Sequence, residues 1–199
     1  MYVDSFISLL KLGLLTSRVS ELGALPFAKL KERDWISIKV MAEKQGVSAI
    51  IFDGLDTLVN QYGREKVVPD IDTDWWQHFV LEWIGSTTQI EQWNLQQMAV
   101  MEDLADKWEQ KGCRVMVMKG QANGTLYPKP EHRSPGDIDC YLFENYAIGN
   151  DIARAVGANV DESWYKHSVI SYKGETFENH QYFVHTREGN GWRRSWKKP

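Results

Sequence analysis

Two aspartates stand two positions apart, Asp137 and Asp139, next to Gly136 and at the start of the apolar stretch DIDCYLF. Side chains two apart on a β-strand point to the same face, so we expect the two carboxylates to project together while Ile138 faces the core. Neighbouring carboxylates repel each other unless a cation neutralises them. Hard divalent ions are the usual cation at such a pair, so the pattern predicts a Mg²⁺ or Mn²⁺ site. A solvated surface pair is the alternative.

A third acidic ligand is expected on the segment ETFENHQYF. Alternation along a strand places Glu178 and His180 on one polar face, whereas Glu175 lies at a turn and on the opposite face. Glu178 is therefore predicted to complete the metal ligands or to deprotonate an attacking hydroxyl. His180 is predicted to bind substrate, with metal ligation and a structural role as alternatives, and His167 is interpreted as a strand-end histidine.

Phosphate-binding residues are predicted around the end of the apolar run CRVMVMKG. A glycine at a strand-to-helix turn, here Gly120 after Lys119, leaves backbone N–H groups free to hold a phosphate. Gly136 allows a chain or ligand to approach closely. Arg133 is suited to bind a phosphate through two hydrogen bonds, and an ion pair that holds its loop is the alternative.

The elements that must position these residues differ between the two halves of the chain. Apolar residues recur at three- and four-residue steps through most of the first half, which predicts helices, including one that ends near Gly46. A capping-box pattern at residues 86–89 predicts a helix break near Gly85. From Cys113 onward the pattern predicts a β–α–β–α–β–β order, with a final hairpin turning at Lys173 and Gly174.

The fold class expected from this order is α+β, with a helical N-terminal region packed on a small mixed β-sheet core. The helical region is assigned to residues 1–112 and the α/β core to residues 113–199, with one compact unit as the alternative. Tryptophans at helical spacing are expected in the core, and a protein-interaction surface is the alternative for the helical half. These tryptophans are Trp35, Trp75, Trp76, Trp83, Trp93 and Trp108.

Composition narrows the class of protein. The 199 residues are 43% hydrophobic and 25% charged, as in soluble globular proteins, and the net charge of −4 argues against sequence-independent nucleic-acid binding. Cys113 and Cys140 are expected to be buried or half-buried thiols in a reducing compartment. No apolar run is long enough to cross a membrane, and FISLLKLGLL lacks the features of a signal peptide, so the expected location is the cytoplasm.

Several of these motifs occur in the order found in one family. The stretch VMVMKGQANGTLYPKPEHRSPGDIDCYLF, followed by YKGETFENH, resembles an uncharacterised nucleotidyltransferase family of bacterial, Bacteroides-like proteins. That family belongs to the DNA polymerase β-like nucleotidyltransferase superfamily. The segments LLKLGL, DWISIKVMAEKQGV and IFDGLDTL also resemble the family's helical region, so the resemblance spans nearly the whole chain.

The resemblance implies a nucleotidyltransferase core that transfers an NMP from an NTP to a hydroxyl acceptor and releases pyrophosphate. It implies that Asp137 and Asp139 bind Mg²⁺ or Mn²⁺, with Glu178 as the third acidic residue. The nucleotide-binding set would be Lys119, Gly120, Arg133, Gly136 and His180. The acceptor would be a small molecule, a protein or an RNA end, with no membrane partner.

A second function stays open. The superfamily usually has a Gly-Ser or Gly-Gly pair after the first strand, whereas this chain has Gln121 directly after Gly120. The alternative is a catalytically inactive protein of the same fold that binds nucleotide or has a regulatory, antitoxin-like role.

Overall fold

The computed structural model describes residues 2–183 and has a mixed α+β fold. The described chain forms two compact units. The first contains residues 2–98 together with Asn123–Gly136, and the second contains Ala99–Ala122 together with residues 137–183. None of the helices in this part of the chain is long and apolar enough to cross a membrane.

The first unit is helical, as the apolar spacing predicts. Its core includes Trp35 and Ile38 on one helix and Leu55 and Leu58 on the next, all almost fully buried. The predicted helix end near Gly46 is confirmed, because that residue has a φ of +66°. The helices are α1 (Tyr2–Gly13), α2 (Val19–Leu22), α3 (Leu25–Ala28), α4 (Glu32–Lys44), α5 (Ser48–Tyr62), α6 (Arg64–Val67) and α7 (Thr73–Glu109), whose last eleven residues belong to the second unit.

The predicted helix break near Gly85 is wrong, because helix α7 runs through this position without interruption for 37 residues. The Ser86 hydroxyl does not cap a new helix but donates a hydrogen bond to the carbonyl of Glu82, one turn earlier. Hydroxyls bond to the preceding turn in this way inside helices. A local capping pattern therefore does not end a helix whose backbone hydrogen bonds continue.

The tryptophans lie mostly in the core, as predicted. Trp35, Trp76 and Trp83 are at most 5% exposed in the first unit, and Trp108 is 1% exposed in the second. The Trp83 indole donates a hydrogen bond to the hydroxyl of Ser48, which satisfies its buried polar group. Trp93 departs from the prediction, because 53% of its surface is exposed.

The second unit is built on a five-stranded mixed sheet in the order β1-β2-β5-β4-β3. β2 and β5 are parallel, and the other neighbouring strands are antiparallel. One of these strands, β3, was not predicted from sequence; it is short, and its pattern does not alternate clearly. The strands are β1 (Met116–Met118), β2 (Ile138–Tyr141), β3 (Asn159–Asp161), β4 (His167–Tyr172) and β5 (Glu175–His180), with helices α8 (Gly120–Gly124) and α9 (Tyr146–Ala155) between them.

The predicted hairpin is confirmed: β4 and β5 pair antiparallel across a two-residue turn at Lys173 and Gly174. Their φ angles of +49° and +89° are those of a tight turn that favours glycine. The pairing places every residue of β4 opposite a defined residue of β5, because the turn length fixes the register. This register positions part of the candidate site.

One face of the sheet is buried. Ile138 and Phe177 pack there with Trp108 and Ala153 in a continuous apolar cluster. Cys140 belongs to the same cluster, and both cysteines are buried free thiols, as predicted. Burial raises the pKa of each thiol. Because side chains alternate along a strand, the residues between these core positions project from the opposite face.

Candidate functional site

The opposite face of the sheet carries a row of polar side chains. Asp139 on β2 is the register partner of Glu178 on the parallel strand β5, so the two carboxylates share this face. His180 follows two positions later on β5, and its partner across the hairpin is His167 on β4. Alternation predicts the shared face of Glu178 and His180, and the pairing of β2 with β5 adds Asp139 to it.

Asp139 is the most buried of these carboxylates, at 5% exposure. Its Oδ1 atom accepts a hydrogen bond from the Lys119 ammonium at 2.7 Å and lies 2.8 Å from Nε2 of His180. The hydrogen bond to Asp139 raises the pKa of Lys119, and the charges of Glu178 and Asp137 add to the effect. A buried carboxylate thus holds a cation on this face.

Asp137 lies just before β2 and is exposed. Its backbone carbonyl approaches Gly120, where an added Cβ atom would lie 3.3 Å from the carbonyl oxygen. Lys119 and Gly120 both have positive φ angles, +47° and +22°, as the chain turns from β1 into α8. A glycine suits this turn because both the left-handed conformation and the close backbone disfavour a larger residue.

Glu178 lies between the two histidines of the hairpin. Its Oε1 atom is 3.5 Å from Nε2 of His167, and its Oε2 atom is 3.4 Å from Nε2 of His180. The two imidazole rings have centroids 5.3 Å apart. The sequence pattern alone assigned His167 no role in the site. Counting residue pairs outward from the two-residue turn at Lys173 and Gly174 nevertheless places His167 opposite His180.

An open cleft of about 380 Å³ adjoins these polar residues. Lys119 and His180 form part of its wall, and the rest is mostly apolar, with Met116, Met118 and Phe183 among the lining residues. A cleft with an apolar wall and a few convergent polar groups is the usual form of a small-molecule site. The cleft is large enough for a planar ring system of a small ligand.

Two residues of the predicted phosphate-binding set belong to the first unit. Arg133 has a buried Nη1 nitrogen with no hydrogen-bond partner among the described residues. Its backbone carbonyl accepts a hydrogen bond from Asn94. Gly136 accepts one from Gln97 at 2.6 Å, and a Cβ atom at Gly136 would meet open space. No close contact therefore requires glycine at position 136.

The neighbour of Arg133 has a role that the sequence did not reveal. His132 is 5% exposed, with Nδ1 at 2.6 Å from Asp53 and Nε2 at 2.9 Å from Glu91. The hydrogen bond to Asp53 raises the pKa of His132, Glu91 adds to the effect and burial opposes it. Lys129 also binds Asp53, at 2.5 Å. These contacts anchor the loop of Arg133 within the first unit.

The second unit therefore combines oxygen and nitrogen donors on one sheet face with a cation, a glycine turn and a cleft. Carboxylate oxygens suit a hard divalent ion, and an ammonium beside a glycine turn suits a phosphate. The arrangement can hold a phosphorylated ligand and a metal ion side by side. The thiols of Cys113 and Cys140 do not suit the role of a covalent nucleophile, because burial raises the pKa of each.

A family model described as "Uncharacterised nucleotidyltransferase" matches residues 31–197, which is most of the chain. No match was found among curated proteins or among solved structures.

Proposed function

The chain belongs to the family of uncharacterised nucleotidyltransferases, and from this membership and the geometry of the sheet face we propose that it transfers an NMP from an NTP to a hydroxyl acceptor. The observation that carries the proposal is the pairing of Asp139 with Glu178 on neighbouring parallel strands. This pairing gives the second unit two carboxylates on one face, beside a lysine and a glycine turn.

The metal ligands we propose are Asp137, Asp139 and Glu178, with Mg²⁺ or Mn²⁺ as the ion. The donor set fits, because carboxylate oxygens are the ligands these ions prefer, and because Asp139 already holds the ammonium of Lys119 at 2.7 Å. When bound, the ion would neutralise phosphate charge and orient the α-phosphate for in-line attack.

Lys119 and Gly120 are proposed to hold the phosphates, the first through its ammonium and the second through the backbone of a glycine turn. Arg133 and Gly136, which belong to the first unit, stay predicted phosphate-binding residues. His180 is proposed to contact the nucleotide from the cleft wall that it shares with Lys119.

The transfer would form a bond between the acceptor oxygen and the α-phosphorus as the bond from that phosphorus to the bridging oxygen of pyrophosphate breaks. The acceptor hydroxyl would lose its proton to a carboxylate. Glu178, whose side chain is 24% exposed, is proposed as that base where it does not ligate the metal. The acceptor class stays open among a small molecule, a protein and an RNA end.

The test is to compare the wild type with Asp139→Asn by calorimetry with Mg²⁺ and each of the four NTPs, and to follow transfer of an α-phosphate label. We expect the variant to lose metal-dependent nucleotide binding and all transfer. Asp161→Asn is the matched control, because Asp161 lies on strand β3 of the same unit and its carboxylate bonds to the backbone and side chain of Ser163. Equal binding by wild type and Asp139→Asn would refute the assignment.

A nucleotide-binding protein without catalysis is the second candidate, and one observation favours it. The Lys119 ammonium lies on the Asp139 oxygen that a catalytic ion would use. If that ion pair persists with nucleotide bound, the protein would bind an NTP without transferring it. Nucleotide binding with no transfer of label to any acceptor in a cell extract would support this candidate over the first.

A further inference from the structure

We propose that His167, Glu178 and His180 form a binding site for a late first-row divalent metal ion such as Zn²⁺ or Co²⁺. One nitrogen or oxygen atom from each residue lies within 4.8 Å of the other two. Two of the three donors are imidazoles, and Glu178 is the one residue shared with the carboxylates proposed for Mg²⁺. The site stands on its own geometry and does not depend on nucleotidyl transfer.

The spacing of the donor atoms matches a tetrahedral ion. Zinc–nitrogen and zinc–oxygen bonds of about 2.0–2.1 Å place adjacent ligand atoms about 3.4 Å apart. Oε1 of Glu178 lies 3.5 Å from Nε2 of His167, and the other oxygen, Oε2, lies 3.4 Å from Nε2 of His180. The donor atoms of all three residues lie within 4.8 Å of one another, so a shared ion requires the side chains to close in around it.

The hairpin holds these donors on rigid backbone. His167 and His180 are register partners on β4 and β5, and Glu178 precedes His180 on the same face. The side chains are sheltered, with exposures of 18% for His167, 24% for Glu178 and 17% for His180. The ring of Trp164 stacks on His167, with 6.3 Å between centroids and an interplanar angle of 11°. A site on paired strands with a packed neighbour is preorganised for its ion.

The donor types select the class of ion. Imidazole nitrogen together with a carboxylate suits Zn²⁺, Co²⁺ and Ni²⁺, whereas Mg²⁺ prefers oxygen ligands and retains its water. Three protein ligands leave a fourth position for water or substrate, the arrangement of catalytic zinc sites. Asp139 also adjoins the cluster, since its Oδ1 atom is 2.8 Å from Nε2 of His180.

A hydrogen-bond network is the competing explanation of the same distances. His180 would then donate from Nε2 to Asp139, and Glu178 would accept from His167. A metal ion requires these nitrogens to be deprotonated, so the two explanations differ in whether the chain takes up an imidazole-binding ion.

The experiment uses the full chain, stripped of metal and without nucleotide, titrated with Co²⁺ and followed by visible absorption, with Zn²⁺ as competitor. We expect one tetrahedral Co²⁺ per chain, displaced by Zn²⁺ and not by a large excess of Mg²⁺. His167→Asn should weaken binding at least about tenfold, since even changes around a metal's ligands cost about 10–100-fold. His78→Asn, at an exposed histidine on α7, should bind as the wild type does.

Two results would overturn the proposal: no tetrahedral Co²⁺ spectrum from the wild type, or equal Co²⁺ affinity in His167→Asn and wild type. Circular dichroism of each variant checks that it is folded, and Glu178→Gln provides a second ligand change that keeps the side-chain shape. Because no nucleotide is present, a protein that binds Co²⁺ at this site and transfers no NMP would contradict only the proposed function.

Discussion

The ammonium of Lys119 lies 2.7 Å from Oδ1 of Asp139, at the end of strand β1 and on the middle of strand β2. The lysine side chain is 65% exposed, whereas the carboxylate is 7% exposed. The charge of a nearly buried aspartate is therefore balanced by a flexible cation that is free to leave toward solvent. If the proposed divalent ion binds Oδ1 of Asp139, it competes with this lysine, and we expect the displaced ammonium to become available to a phosphate.

Lys119→Met is expected to change metal and nucleotide binding in opposite directions. Without the ammonium on Asp139, Mn²⁺ should bind more tightly in the absence of nucleotide, because no cation has to be displaced. Nucleotide should bind about tenfold or more weakly, since a charge-assisted hydrogen bond contributes about 1.5–3 kcal/mol. Calorimetric titration with Mn²⁺ alone and with Mn²⁺ plus an NTP measures both effects.

Lys107→Met is the control, because Lys107 pairs with Asp103 on α7 in the same unit. It should leave both affinities unchanged. If Lys119→Met weakens Mn²⁺ binding without nucleotide, Lys119 does not compete with the ion for Asp139.

The buried His132 predicts a pH dependence of stability in the first unit. Hydrogen bonds to Asp53 and then Glu91 raise the pKa of His132 in the folded chain, with burial and the charge of Lys129 opposing them. The stabilisation from the charged imidazole is complete below the unfolded pKa of about 6.5 and is lost as pH rises through the higher folded pKa. Urea unfolding followed by tryptophan fluorescence should show the free energy of unfolding falling over that window.

His132→Asn should remove this fall and lower the free energy of unfolding by about 1.5–3 kcal/mol at about pH 6, as expected for hydrogen bonds to charged groups. His78→Asn, an exposed histidine in the same unit, should keep the wild-type profile. A wild type whose stability rises from pH about 6.5 to about 8.5 would contradict the sign of this prediction.

Helices α1 and α5 make a backbone contact that depends on glycine. A Cβ atom at Gly54 would lie 2.0 Å from the carbonyl oxygen of Leu9, too close for any side chain. Gly54→Ala should therefore lower the free energy of unfolding by about 1–3 kcal/mol or more, the cost of overpacking. Urea unfolding measures this loss.

Gly85→Ala is the matched substitution on α7, where an added Cβ atom meets nothing within 4 Å. It should raise the free energy of unfolding by about 0.5–1 kcal/mol, because alanine favours a helix interior over glycine. Equal effects of the two substitutions on the free energy of unfolding would show that the close approach of α1 and α5 does not restrict the size of the side chain at position 54.

Local patterns account for much of the second unit. The hairpin at Lys173 and Gly174 follows from its turn residues, and strand alternation places Glu178 and His180 on one face. The same turn length places His167 opposite His180, so this relationship follows from the sequence once the turn is assigned. The metal-binding and nucleotide-binding roles of these residues stay predictions. Strand alternation determines which face a side chain occupies but not which ligand binds there.

Other features depend on contacts between distant parts of the chain. The parallel pairing of Ile138 on β2 with Phe177 on β5 has no local signal, because either strand suits several neighbours. The contacts of His132 with Asp53 and Glu91 likewise join three separate segments. Helix α7 continues past Gly85 because one glycine costs only about 1 kcal/mol in a long helix. Such features require the three-dimensional structure.

A buried hydrogen-bond network holds the side of β5 that faces away from the polar row. Asn150 on α9 is fully buried, and its Oδ1 atom accepts hydrogen bonds from Ser168 at 2.7 Å and from Asn179 at 2.9 Å. Asn150→Ala removes the acceptor of both hydrogen bonds, leaving Asn179 only its bond to the Tyr146 carbonyl, and should lower the free energy of unfolding by about 1–3 kcal/mol. Asn60→Ala, at an exposed asparagine on α5, should change it by about 0.5 kcal/mol or less.

Because Asn179 lies between Glu178 and His180 on β5, the loss of its hydrogen bond to Asn150 should also weaken Co²⁺ binding in the folded variant. Urea unfolding and the Co²⁺ titration measure the two effects, and an Asn150→Ala protein with wild-type stability would show that this buried network does not hold the strand.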